Sequence, residues 1–291
     1  MRSAVVARRV VTVLLAVALI AGLWELYKNA APADGVSVGG LRILPRTGDA
    51  AMPHLMSIWH ALGSQEVSLA GSSSVLTSIA AAGFFTLGLA LGGFVVGLLI
   101  GVALALLMDR FRLAQRALLP WIVLSQTVPL IAIAPLISGW GAGLHIGGFQ
   151  WQQWMSVAVI AAYLAFFPIS VGMLRGLMAP TEVNVELFHS LAAGWSTTLL
   201  RLKLPAAVPF LLPALRLGAA AAVVGAVVAE TSIGVPGGIG RVIIDYSQQA
   251  TGDPSRLYAA VLAAALLGLI AAALISLLEL GLRSYSKGRT A

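Results

Sequence analysis

The chain contains no cysteine. A disulfide, a thiol nucleophile and a thiolate metal site are therefore excluded. Histidine is scarce too, with 4 scattered along 291 residues, so an imidazole metal cluster is not expected. Charged residues make up 10% of the chain, against about 25% in an average soluble protein. The bases that exist gather at the ends of apolar runs, and no basic stripe is interleaved with aromatics. This argues against a nucleic-acid partner and fits the positive-inside bias of membrane proteins. An intramembrane protease or lipid transferase would need a nucleophile with its base, or paired carboxylates at helical spacing. Neither occurs, because Glu25, Glu230 and Glu279 all stand at the ends of apolar runs.

Long apolar runs are abundant, and each of about 20 residues can cross a bilayer as a helix. Arg2, Arg8 and Arg9 precede Val10 to Tyr27. This start resembles a secretory signal. The run is long, however, and no small-x-small cleavage site directly follows it. Trp24 and Tyr27 stand where an interfacial aromatic belt anchors a retained helix, so we read an uncleaved first span. Lys28 to Ser74 opens as a loop. Within it Leu55, Ile58, Trp59 and Leu62 form one apolar stripe, which predicts a short helix lying against the membrane or the bundle. The second span runs from Val75 or Phe84 to Met108. Its Gly93, Gly97 and Gly101 are spaced four apart, as are Gly88 and Gly92, which predicts close backbone packing.

DRFRLAQR (109–116) closes that span, and Leu118 to Trp140 is the third. The third holds Pro120, Pro129 and Pro135, with Ser125, Gln126 and Thr127 at its centre. Proline removes a backbone donor and kinks a helix. Polar groups at that depth must face protein or a water-filled cavity. Ser125, Gln126, Thr127 and Pro129 are therefore candidate pathway-lining residues. Alternatively, the span is a kinked packing helix whose Gln126 bonds a neighbour. The fourth span is Trp154 to Leu174 and the fifth Ala206 to Ala229. Glu230 to Arg256 reads as a glycine-rich outer loop. The sixth is Leu257 to Leu282. Arg216 either snorkels to the inner interface or pairs inside the bundle. Glu230 either lines an outer gate or is an interfacial carboxylate.

With six spans, Arg2, Arg8, Arg9, Arg110, Arg112, Arg116, Arg175, Arg201, Lys203, Arg283, Lys287 and Arg289 share one side. Lys28, Arg42, Arg46, Arg241 and Arg256 fall on the other. The first side is then the cytoplasm, and both termini lie there. The longest segment on that side ends in ELFHSLAAGWSTTLLRLKLPAAVP (186–209). Glu186 to Leu191 is helical in pattern. Ala192, Ala193 and Gly194 make a small break, with Gly194 permitting a tight turn. Trp195 to Leu204 resumes a helix, and Pro205 opens a new segment.

Glu186, the small residues 192–194 and Leu204-Pro205 resemble the EAA loop of bacterial ABC importer permeases. Leu187-Phe188 departs from the two alanines of that pattern, and Ala192 stands where it has glycine. SQTVPLIAIAPLISGWG resembles the third-span region of nitrate, sulfonate and taurine permeases. PALRLGAAAAVVGAVVAE, leading to GGIG, is similar to permeases for pyrimidine, thiamine-precursor and riboflavin uptake. The resemblance covers about residues 70 to 285.

It implies an all-α six-transmembrane-helix bundle of the ABC type I importer permease kind, in the bacterial inner membrane. Two copies would sit on a cytoplasmic ATPase dimer, and an extracytoplasmic binding protein would deliver the solute. The coupling loop would comprise Glu186, Ala192, Ala193, Gly194, Arg201, Leu204 and Pro205. Glu186 either pairs with a basic ATPase residue or caps its own helix. Arg201 and Lys203 face acidic ATPase residues or anionic lipid. The chain has no GxxxxGK[ST] phosphate loop, so it binds no cofactor, and ATP and magnesium belong to the partner. The expected organisation is a tail and first span (1–28), an extracytoplasmic loop with an amphipathic helix (29–74), a permease core with coupling loop 175–205 (75–285) and a C-terminal tail (286–291). A channel or carrier working alone is the more distant alternative. The broken third span favours it, and the Glu186 loop does not.

Overall fold

The computed structural model describes residues 2–38, 41–66, 73–251 and 253–287. Part of the expected C-terminal tail, 288–291, lies outside the described residues. The chain divides into two compact units, 1–80 with 243–262, and 81–242 with 263–291.

The first unit begins with α1, Arg2–Ala30, whose Val11–Ala30 is apolar enough to span. A short antiparallel ribbon follows, β1 (Val36–Val38) with β2 (Leu41–Leu44). The end of α1 is tied to the chain after the ribbon by Lys28. Its buried ammonium donates to Thr47 O (3.1 Å), Asp49 Oδ1 (2.7 Å) and Met52 O (2.5 Å). The bond from Lys28 holds the Asp49 carboxyl below its usual range. Helix α2, Leu55–Gly63, is the short helix expected from the stripe. Its buried face is Ile58 and Ala61, however, and Trp59 is 71% exposed. The Glu25 carboxylate caps its start, accepting from Leu55 N at 2.8 Å and meeting His54 Nδ1 at 2.8 Å. Tyr246 donates to Glu66, and Arg256 to the carbonyls of Gln65 and Glu66. Burial, then the Glu66 charge, push the Tyr246 hydroxyl up to about 12.

The second unit is built around α6, Gln153–Leu177. At about 1.5 Å per residue it is long enough to cross a hydrocarbon core of about 30 Å. Lipid is as apolar as leucine, so helices in a membrane associate through close packing. Helix α3, Val75–Arg110, provides it with glycine. A Cβ at Gly93 would meet Ala158 O and the Ala161 side chain, at Gly97 Ala162 O and Ala165, and at Gly101 Phe166 O and Ile169. The contacts ascend together, so α3 and α6 are parallel. Gly88 and Gly92 face open space and take no part. Helix α9, Leu204–Ile233, packs on α6 in the opposite sense. Gly176 meets Ala207, Gly172 meets Ala214, Gly218 meets Ile169, and Gly225 meets Ala161.

Between α3 and α6 lie α4 (Arg112–Ser125) and α5 (Leu130–Ala142), bent 102° apart. Since α3 and α6 are parallel, this pair must return across the membrane once. It is one broken span, where the sequence predicts a single kinked one. Pro129 is the cause: it lacks the N–H that would bond Ser125 O. That carbonyl accepts instead from the Tyr163 hydroxyl of α6, with a longer bond from Val128 N at 3.4 Å. Five further helices are long and apolar enough to cross, making up to six spans among the described residues. The tip after α5 is a two-stranded ribbon, β3 (His145–Ile146) with β4 (Phe149–Gln150).

Two further elements differ from expectation. The segment after Glu230 is not a plain loop. It contains α10, Ile239–Gln249, because Ile239, Val242, Ile243 and Tyr246 recur at helical spacing. The sixth helix, α11, runs Ser255–Lys287 and opens earlier than expected.

The α3–α6 contact gives a direct test. Gly97→Ala should lower stability by about 1–3 kcal/mol, the usual cost of overpacking, while Gly92→Ala should not. Thermal unfolding of the detergent-solubilised chain measures the difference.

Candidate functional site

The ends of α3 and α6 and the start of α9 meet in one apolar cluster: Ala105, Met108, Ile122, Met173, Leu174, Leu177, Leu199 and Ala207. From this end projects the segment that the sequence singles out. Helix α7, Glu182–Ser190, has no buried residue. Val183, Leu187 and Leu191, spaced four apart, are 74%, 55% and 71% exposed. They form an exposed apolar stripe on a helix with no fully buried residue, whose Val185 and Phe188 are half-buried on the other side. Glu186 is exposed and lies in the second turn. The capping reading of Glu186 is therefore corrected, since the N-cap is Thr181.

The turn after α7 is made by Ala192. Its φ is +52°, the one positive φ outside glycine among the described residues. Ala192 N donates to His189 O at 2.9 Å and Ala193 N to Phe188 O at 3.0 Å. This is the left-handed helix end that glycine normally supplies, and an L-residue there costs about 1–2 kcal/mol. Gly194 is not the turn residue. Its φ is −67° and its ψ 165°, extended backbone open to any side chain, and a Cβ there meets nothing. The required glycine position is thus 192, where the ABC permease pattern has it and this chain carries alanine.

Trp195–Thr198 forms α8, and Leu199–Lys203 a π-helical turn that runs directly into α9. Pro205 does not restart the chain as expected. It sits at the second position of α9, and the wider turn before it carries Leu204 N to Leu199 O. Arg201 and Pro205 are exposed, and Leu204 is half-buried. Lys203 is turned largely into its own chain, donating to Asp109 Oδ1 at 2.6 Å.

The third-span candidates lie at the α4–α5 break. Ser125 and Gln126 are half-buried, and Thr127 and Pro129 exposed. Their polar atoms largely serve the break itself. Ser125 Oγ donates to Ile122 O (2.7 Å), Thr127 Oγ1 to Leu124 O (2.8 Å), and Gln126 Nε2 to Ser125 Oγ (3.2 Å).

Glu230 belongs to a separate cluster. It is completely buried within the protein. Thr86 Oγ1 lies 2.9 Å from both carboxylate oxygens, and Gly240 N donates to Oε2 at 3.0 Å. Ile239 N donates in turn to Thr86 Oγ1 at 2.9 Å. A Cβ at Gly238 or Gly240 would collide with Glu230, so GGIG is glycine-rich to let the chain lie on this carboxylate. Sequence reasoning missed Thr86. The readable signal was an acid eight and ten residues ahead of two glycines. Between α3, α9 and α11 lies an apolar cavity of about 440 Å³, lined by residues such as Leu87, Phe94, Val223 and Leu274. It offers a polar solute no hydrogen bond.

The structure is a bundle of close-packed apolar helices, up to six of them long enough to span a membrane with the broken pair counted as one, and with one exposed helix at its end. The chain belongs to the family described as binding-protein-dependent transport system inner membrane component, which matches residues 93–284. It is 33% identical over 187 residues to a formylaminopyrimidine transport permease protein, ThiX, of Halalkalibacterium halodurans, covering 64% of this chain and 70% of that one. It is 31% identical over 195 residues to a riboflavin transport system permease protein, RibX, of Chloroflexus aurantiacus, covering 67% and 68%. It is 27% identical over 187 residues to a putative aliphatic sulfonates transport permease protein, SsuC, of Bacillus subtilis, covering 64% and 63%. The chain is thus a multi-pass inner-membrane permease subunit of the ABC importer class.

Relieving the left-handed alanine should stabilise the loop. Ala192→Gly should raise stability by about 0.5–1 kcal/mol, the left-handed strain less the entropy of glycine, and Gly194→Ala should be neutral. Local hydrogen exchange across Glu182–Lys203 reads both.

Proposed function

We propose that this chain forms the translocation path of an ATP-driven importer for a small polar organic solute. A pyrimidine, a thiamine precursor or a riboflavin-like compound is favoured. Two copies work on a cytoplasmic ATPase dimer, which binds the ATP and magnesium, and an extracytoplasmic binding protein delivers the solute. Both termini and the loop 175–205 lie in the cytoplasm. The observation that carries this reading is α7, whose stripe of Val183, Leu187 and Leu191 is exposed among the described residues and which the backbone joins to α6 before it and, through α8 and the π-turn, to α9 after it. A push on α7 reaches two spans through the backbone. Charge asymmetry supports the orientation. Ser125, Gln126, Thr127 and Pro129 are proposed to line the path at the break between α4 and α5.

The relatives' names support the solute class, and the sulfonate permease keeps a second reading open: the same machine carrying nitrate, a sulfonate or taurine. A carrier working alone remains the distant alternative. Reconstitution in liposomes separates them. Uptake of formylaminopyrimidine or riboflavin should require the ATPase, ATP and the binding protein together. Uptake of taurine instead would select the second reading, and uptake without ATPase and ATP would contradict the importer.

A further inference from the structure

The π-helical turn and the end of α3 share contacts that neither the fold nor the loop alone requires. Lys203, the last residue of the turn, binds Asp109 Oδ1 at 2.6 Å, with side-chain exposures of 18% and 3%. The other carboxylate oxygen, Asp109 Oδ2, is buried with no partner among the described residues. The next residue, Arg110, lays its guanidinium 5.3 Å from the ring centre of Trp195, the first residue of α8. Two consecutive residues of α3 thus grip both ends of the nine-residue stretch 195–203. This stretch is the arm between the α7 turn and α9. π-turns inside helices recur at functional sites, and this one lies between the two grips.

We propose that Asp109 and Arg110 are positioning residues that carry movement of the coupling loop into α3. The inference rests on the loop being driven by an ATPase. The backbone links the loop to α6 and α9 alone. Helix α3 meets the arm through this grip and through Ala105 and Met108, which share the apolar cluster with Leu199; the grip adds the charged and directional contacts. A buried ion pair adds little net stability compared with apolar residues of the same size. It does fix one geometry, because separating the charges strands each in a poor medium. Such a link transmits displacement rather than absorbing it. Cation–π stacking at the other end keeps the arm from pivoting about Lys203. Helix α3, seated on α6 through Gly93, Gly97 and Gly101, then shifts as a rigid strut.

The test uses the full chain assembled with its ATPase. The chain has no native cysteine, so single reporters are clean. An environment-sensitive fluorophore is attached at Leu99→Cys on α3 or Leu217→Cys on α9, positions 65% and 63% exposed. Emission is compared without nucleotide and after trapping with ATP and vanadate. With the grip intact, both reporters should respond. The double variant Asp109→Leu with Lys203→Met leaves no lone buried charge, so it should fold. Arg110→Gln removes the second grip independently. In either, the α3 response should fall about fivefold or more, the scale of a coupling between sites, while the α9 response persists. The proposal is overturned if the α3 response survives either variant, if α3 is silent in the native chain while α9 responds, or if both responses vanish together in either variant. Silence of both reporters in the native chain would overturn the driven-loop reading itself, and the grip's role with it.

Discussion

The fold depends on backbone approach around α6. In a soluble protein apolar side chains would hold these helices together, but in lipid they have no such preference. What remains is contact at short range, and it requires that side chains be nearly absent. Helix α3 brings Gly93, Gly97 and Gly101 to one flank of α6, α9 brings Gly218 and Gly225, and α6 offers its own Gly172 and Gly176 to α9. Three helices are thereby locked at fixed register. The parallel course of α3 and α6 follows from that register, and it forces the broken pair α4–α5 to cross the membrane.

The loop at the end of this core is built differently from the core itself. Helix α7 is tethered at both ends to packed helices yet itself has no fully buried residue. The turn that reverses the chain after it is held in a left-handed alanine, and the exit is a π-turn. Strain of this kind persists only where surrounding structure holds it. At the far end of α9, Glu230 performs the opposite task. Buried and bonded by Thr86 and Gly240, it fastens the chain that leaves the span. One end of α9 carries the exposed loop and the other is anchored by a buried carboxylate.

Much of this was legible in residues and some was not. Apolar runs gave the spans, because length and hydrophobicity are local properties. Glycine spacing gave the packing face of α3 but not its limits. Gly88 and Gly92 share the spacing and face open space, and only the neighbour's position tells the two sets apart. Pro129 announced a kink, yet not its size of 102° nor that the Tyr163 hydroxyl of another helix donates to Ser125 O at the break. Glu230 looked interfacial because it ends an apolar run, and its donors come from Thr86, distant in sequence, and from a turn that is itself glycine. Helix α10 was hidden because glycine and proline ahead of it signal a loop. Trp59 matched the stripe of α2 but faces outward, since Ala61 takes the inner position. Lys203 read as a surface base, and nothing local foretold Asp109.

The account's central claim is that α7 is a docking helix for an ATPase and that the bundle behind it is its load. Hydrogen exchange of the membrane-embedded chain, with and without the ATPase, tests this most directly. Protection should rise sharply across Glu182–Trp195 and change little elsewhere at that end of the bundle. Unchanged exchange across Glu182–Trp195 in a stable complex, with new protection on another segment, would contradict it.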